Sequence, residues 1–216
     1  MPATGVPMTS PRCATSHKTF DLHKWMYLPY DIGCVFVRDA DAHRRAFATA
    51  PGYLSRTTAG PASHSTNFSD LGIELTRRFR ALKVWLTLKA HGVEAFAEQI
   101  RKNVSQAAYL ASLVDTRADL ELAAPVALNV VCFRYVPPGR APEDLDRLNH
   151  DLLIRLQTSG IALPSHTVLN GRFVIRAAIT NHRSVYSDFD VLVDAVARFG
   201  AEANDSMSAD LEASRI

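Results

Sequence analysis

At 216 residues, 47% apolar and 21% charged, with a net charge of +2, the chain has the composition of a soluble globular protein of one domain or two small ones. The basic excess is too small and too scattered for a nucleic-acid binder, and no apolar run approaches the roughly 18 residues of a membrane span. Cys13, Cys34 and Cys132 lack C-x-x-C spacing and favour free thiols in a reducing compartment; the first residues carry no secretory signal, so the expected location is the cytoplasm.

Residues 1–19, rich in Pro, Thr, Ser and Ala without periodicity, read as a disordered lead-in. "FDLHKWMYLPYDIG" follows at 20–33, and "GCVFVRD" at 33–39 is a β-branched and aromatic run that predicts a short buried strand. Residues 40–50 suit a short helix ended by Pro51-Gly52, and the stretch to residue 70 is a long Gly, Pro, Ser and Thr connection of the kind that is functional or disordered. From residue 73, Leu75, Phe79, Leu82 and Leu86 recur at helical spacing, with Trp85 beside them, up to Gly92. A second helix follows at once, with Phe96, Ile100, Val104, Ala107 and Ala111 on one stripe. "PVALNVVCFRYVP" alternates as a strand. "APEDLDRLNHDLLIRLQTSG" has Pro142 and two acids in its first turn and closes on Gly160, a full set of helix signals. "IALPSHTVLN" and "GRFVIRAAIT" form two further strands joined at Asn170-Gly171, a good hairpin pair. "SVYSDFDVLVDAVARFG" is an amphipathic helix, and the acidic, Ser-rich tail at 203–216 is expected to fray. The order predicts an α/β layer: a small, largely antiparallel sheet covered by helices, preceded at 20–70 by a stretch too small to be a domain alone.

Few residues stand out chemically. Lys24 lies among His23, Trp25, Met26 and Tyr27, which could lower its pKa and fix its reach as a nucleophile; equally, a lysine beside aromatics lays its stem on them and keeps its ammonium in water. Arg77, Arg78, Arg80 and Lys83 do not form one stripe and read as a solvated or ion-paired helix start. The eight histidines offer no metal-ligand spacing, so no metal is expected, and there is no phosphate-binding glycine loop. Arg176, inside the apolar "FVIRAAIT", is either a carboxylate clamp or one half of a structural ion pair.

Taken together, these stretches resemble the group II pyridoxal-phosphate decarboxylases, the aromatic-L-amino-acid decarboxylase family. "FDLHKWMYLPYDIGCVFVRD" is similar to the family's lysine segment. "ELTRRFRALKVWLTLKAHGVEAFAEQIRKNV" is similar to its R-R-F-R helix, and "NVVCFRY" and "GRFVIRAAITNHRS" resemble its two small-domain strands. The resemblance, over about residues 20–199, implies a fold-type-I architecture in which residues 20–80 are a remnant of the large cofactor domain and residues 81–202 the small C-terminal α/β domain. It implies a carboxy-lyase acting on an amino acid, with Lys24 forming the Schiff base with pyridoxal 5'-phosphate and His23 beside the cofactor phosphate. It implies a homodimer, or association with a full-length homologue. Arg176 matches the arginine of the family's F-V-[LI]-R strand, a candidate for the substrate carboxylate.

Two departures follow from the same comparison. Family members carry some hundreds of residues before the lysine segment, so the chain reads as a C-terminal portion with a truncated large domain and impaired activity alone. In the animal enzymes the loop before the R-R-F-R helix carries a tyrosine that protonates the carbanion. Counted back from Arg77, the matching position here is Phe68, and the tyrosine of the loop is Tyr53. Two alternatives to the decarboxylase therefore stand: a non-catalytic remnant that partners a full-length homologue, and a pyridoxal-dependent oxidative deaminase or aldehyde synthase.

Overall fold

An antiparallel hairpin comes first among the described residues. β1 (His17–Asp21) pairs with β2 (Gly33–Val37), with Phe20 opposite Cys34 and Asp21 opposite Gly33. The computed structural model describes residues 17–48, 59–60, 63 and 67–213, in two compact units, Met1–Ala90 and His91–Ile216.

In the first unit the chain turns out of β1 through α1 (Leu22–Trp25), a single helical turn, and returns along residues 26–32. Leu22, Leu28 and Ile32 bury themselves under this return, with Met26, Cys34 and Val84 packed against them. Two backbone bonds, Leu22 N–H to Ile32 O at 3.0 Å and Leu28 N–H to Leu22 O at 3.3 Å, close the loop on itself. β1 begins at His17, inside the stretch read from composition as lead-in, because its pairing with β2 supplies order that composition does not show. β2 is less buried than its apolar sequence predicts: Val35 and Phe36 are more than half exposed, since among the described residues the strand has one neighbour and no covering layer. α2 (Ala40–Phe47) is capped by Asp39, whose carboxylate accepts from the N–H groups of Asp41 (3.0 Å) and Ala42 (2.8 Å). A 3₁₀ turn occupies Phe68–Leu71.

α3 (Arg80–Asp115) breaks at Gly92, whose φ of 75° and ψ of 163° suit a residue without a side chain. The sequence places that break correctly but starts the helix too early. Leu75 and Phe79 precede it, and with Leu82 and Leu86 they are all exposed, so the stripe has no described core surface to hold a longer helix.

The second unit is a four-stranded antiparallel sheet in the order β3 (Leu120–Leu122), β4 (Val130–Tyr135), β6 (Arg172–Ala178), β5 (Ser165–Leu169). One face, with Val131, Phe133, Tyr135, Ile175 and Ala177, packs against three helices. These are the later part of α3 (Leu110, Val114), α4 (Leu145–Thr158; Leu148, Leu152, Leu156) and α5 (Tyr186–Ala213; Leu192, Val196). The other face carries Cys132 directly opposite Arg176. This is the helix-covered antiparallel layer expected from the sequence, with the three-residue β3 added; "LEL" is too short to carry a period.

Beyond Phe133–Ile175 the β4–β6 ladder opens, and α4 fills the gap with side chains. In the continued register Tyr135 would face Phe173. Instead Asn149 accepts from Tyr135 N–H (2.7 Å) and donates to Tyr135 O (2.8 Å), while Asp146 accepts from Phe173 N–H (3.0 Å) and from the buried Arg134 (3.2 Å). α5 also departs from expectation. The tail at 203–216 does not fray at its start: the helix runs to Ala213, because Ala203 and Met207 are buried and Arg140 donates to Asn204 Oδ1 (2.9 Å), Asn204 O (2.8 Å) and Ser208 Oγ (2.8 Å).

Candidate functional site

The lysine segment is built on the turn between the two hairpin strands. α1 lifts Lys24 out of the surface, with its side chain 67% exposed, while Leu22 anchors the same turn beneath it. The Lys24 ammonium forms an ion pair with the Asp21 carboxylate three residues earlier. That hydrogen bond holds the Lys24 amine above the ordinary lysine value and the Asp21 carboxyl below the ordinary carboxylate range. The apolar surroundings or neighbouring cation that would lower the amine are not what the described residues provide: in this chain Lys24 is a protonated lysine with a carboxylate counter-ion.

His23, one residue earlier, points the other way along the turn's edge. Its Nδ1 lies 2.9 Å from the carbonyl oxygen and 3.1 Å from the amide nitrogen of Ile32, donating to one or accepting from the other according to its tautomer. Either way the bond fixes the ring, which packs on Tyr30 at a centroid distance of 4.3 Å. The loop that supplies these partners is itself tied down by α3. Arg80 donates to Asp31 Oδ2 from Nε (3.3 Å) and Nη2 (3.1 Å), and Lys83 donates to Tyr30 O (2.8 Å). Two residues of the basic cluster read as a solvated or ion-paired helix start therefore hold the loop that holds His23, Arg80 through an ion pair. Asp21, Tyr30 and Asp31 were not singled out from the sequence; the spacing of three between Asp21 and Lys24 was the available signal.

The other candidates lie elsewhere. Phe68 starts the 3₁₀ turn and is 70% exposed; Tyr53 falls outside the described residues. Arg176, in the second unit, borders a cleft of about 430 Å³ with Ser165, Thr180, Asn181, Ser184 and Asp188. Its Nη1 donates to Ser165 Oγ (3.3 Å), and among the described residues it forms no ion pair. The Cys132 thiol opposite it is pushed up by burial and drawn down less by the Arg176 charge.

Lys24 and His23 suit an aldehyde that carries an anion. A primary amine on an exposed turn is reachable by a carbonyl carbon, and the imidazole beside it is fixed through one nitrogen, with the other left without a hydrogen bond among the described residues.

The family described as the pyridoxal-dependent decarboxylase conserved domain matches residues 13–136, more than half of the chain, and the chain belongs to that family. It is 36% identical over 167 residues to an aromatic-L-amino-acid decarboxylase of Bacillus atrophaeus, covering 77% of this chain and 35% of that protein. It is 34% identical over 157 residues to a phenylacetaldehyde synthase of Arabidopsis thaliana, covering 73% of this chain and 32% of that one. The structure of Oryza sativa TDC with PLP and tryptamine superposes with a TM-score of 0.80 at 29% identity, over 87% of this chain and 39% of that one. The chain thus spans about a third of the length of the curated relatives it matches.

Proposed function

We propose that the chain carries the lysine segment and small domain of a pyridoxal-phosphate-dependent amino-acid decarboxylase, with Lys24 as the residue that condenses with the cofactor aldehyde. The observation that supports this most directly is the pairing of an exposed Lys24 amine with a backbone-fixed His23 on α1, inside the stretch matched by the family. When bound, pyridoxal phosphate supplies the electron sink that makes loss of CO₂ from an amino acid feasible. The chain's own residues have narrower tasks. Lys24 gives up its ammonium proton and offers a lone pair; His23, held by Ile32, presents its remaining ring nitrogen to a phosphate oxygen; Arg80 and Lys83 keep the loop in place so that His23 does not swing. Arg176 offers a guanidinium with no ion-pair partner among the described residues, which suits a carboxylate bound bidentately.

The working unit we infer is a homodimer, or this chain with a full-length homologue: Ile73, Phe79, Trp85 and Leu86 are each more than half exposed, and large apolar side chains left open so close in sequence suit a covering partner. The free thiols of Cys34 and Cys132 fit a reducing compartment such as the cytoplasm.

A second reading, an aldehyde synthase, is favoured by the Arabidopsis thaliana relative and by Phe68, which has no hydroxyl to donate a proton. One experiment separates the readings. Pyridoxal phosphate is titrated into the wild-type chain and into Lys24→Ala, followed by visible absorbance, and aromatic amino acids are then added. A Lys24-dependent band with amine and CO₂ as products supports the decarboxylase, and an aldehyde product supports the second reading. The same absorbance in both proteins, without product, supports a non-catalytic remnant and overturns the proposal.

A further inference from the structure

Asp21 is in the position of an N-cap for α1, where an aspartate side chain normally accepts from the second or third N–H of the helix. It makes no such bond. The contrast within the same unit is sharp, since Asp39, in the equivalent position before α2, caps with two. The Asp21 carboxylate instead turns to the Lys24 ammonium. Its backbone is fixed for that purpose: it is the last residue of β1, paired with Gly33, and a β-carbon at residue 33 would stand 3.8 Å from Asp21 Oδ1. An aspartate that gives up its local cap for one particular lysine breaks a local rule, and such breaks concentrate at functional sites.

We propose that Asp21 is a positioning residue for Lys24: its carboxylate holds the ε-ammonium in place and retains its proton, so that Lys24 attacks an aldehyde only at a higher pH than it would alone, or when that carboxylate is engaged elsewhere. The inference rests on Lys24 being the aldehyde-binding residue, but its test does not require the cofactor.

Among the described residues, three charged or titratable groups stand against Lys24. Asp21 faces it from the end of β1, His23 is its neighbour on α1, and Tyr30 approaches from the returning loop. β2 contributes no acid or base other than the Cys34 thiol. Asp21 is the dominant influence on the Lys24 amine, and Tyr30 is the smallest. In the reaction the ammonium releases a proton to water and the amine lone pair attacks the carbonyl carbon. Water leaves as the C=N bond forms. The carboxylate slows the first of these events and leaves the others unchanged.

The test uses the full chain and formaldehyde, a neutral aldehyde that owes nothing to phosphate recognition, with cyanoborohydride supplying the hydride that reduces the C=N bond to a stable amine. Labelling at each lysine is read by mass spectrometry from pH 7 to pH 12, a window that brackets the ordinary lysine value of about 10.4. In the wild type, Lys24 is expected to label with a midpoint at higher pH than the exposed Lys89 on α3. In Asp21→Asn its rate at neutral pH rises about 1.4- to 5-fold, the range spanned by an exposed ion pair. Lys89 stays unchanged, and Asp21→Glu restores the slow rate. The wild-type comparison needs no variant to fold. Equal midpoints for Lys24 and Lys89 in the wild type, or a Lys24 profile identical in wild type and Asp21→Asn, overturns the inference. Failure of the proposed function is separately visible: no Lys24-dependent band with pyridoxal phosphate, while the Asp21 effect on formaldehyde labelling persists.

Discussion

Asn149 closes the open end of the sheet, and replacing it with leucine tests how much that closure contributes. Its side chain is fully buried and makes three bonds: from Tyr135 N–H (2.7 Å), to Tyr135 O (2.8 Å) and to Leu145 O (2.9 Å). Leucine keeps the same branched outline and is larger, so no cavity forms. It leaves the Tyr135 N–H and C=O without partners in a place where Tyr135 is 5% exposed. Each of the two buried orphans costs about 1–3 kcal/mol, and the added apolar burial returns about 1 kcal/mol, for a net loss of about 1–5 kcal/mol. In a unit of this size that lowers Tm by roughly 10 °C. Urea titration and calorimetry of the full chain measure the loss, and amide exchange at Tyr135 locates it. A loss below about 1 kcal/mol, with the Tyr135 amide still protected, would refute the claim that Asn149 substitutes for the missing strand partner.

Gly200→Ala should also destabilise, against helix propensity: a β-carbon there meets the Tyr135 ring at 2.6–2.8 Å, and an overpacking cost of about 1–3 kcal/mol outweighs the ~1 kcal/mol that alanine gains in a helix, so Tm falls rather than rises. Asp119, held below the ordinary carboxylate range chiefly by its hydrogen bond from Arg117, contributes stability that is complete above its unfolded value of about pH 4 and is lost as pH falls through its lower native value. Denaturation curves of Asp119→Asn should accordingly fall less steeply than wild type below pH 4, and parallel curves would contradict this. Arg80→Met releases Asp31, so amide exchange at Ile32 should quicken while the core strands of the second unit keep their protection; unchanged exchange at Ile32 would show that Lys83 alone holds the loop.

The second unit was largely legible because its signals are local. Pro142, the acids after it and Gly160 bracket α4, whose first turn is 3₁₀ over Pro142–Asp144, and Asn170-Gly171, with φ of 51° and 75°, make the tight turn their types predict. What escaped the sequence depends on partners far along the chain. The last turns of α5 are ordered by Arg140, more than sixty residues away, and the Arg77–Lys83 stretch acquires its task only when Asp31 and Tyr30 fold beside it. The lysine segment falls between these cases. Residue types and their order pointed to Lys24 and His23 through resemblance, whereas the Asp21 counter-ion is a matter of where one side chain turns, which spacing permits but does not decide.

The central claim is that Lys24 is the residue that takes a cofactor aldehyde, and borohydride reduction tests it most directly. The full chain, alone and mixed with a full-length family member, is incubated with pyridoxal phosphate, reduced, digested and mapped. The account predicts a phosphopyridoxyl group on Lys24 in the peptide spanning residues 19–38, in excess over Lys18, Lys83 and Lys89, and its loss in Lys24→Ala. Labelling spread evenly over the exposed lysines, or undiminished overall in Lys24→Ala, would contradict it.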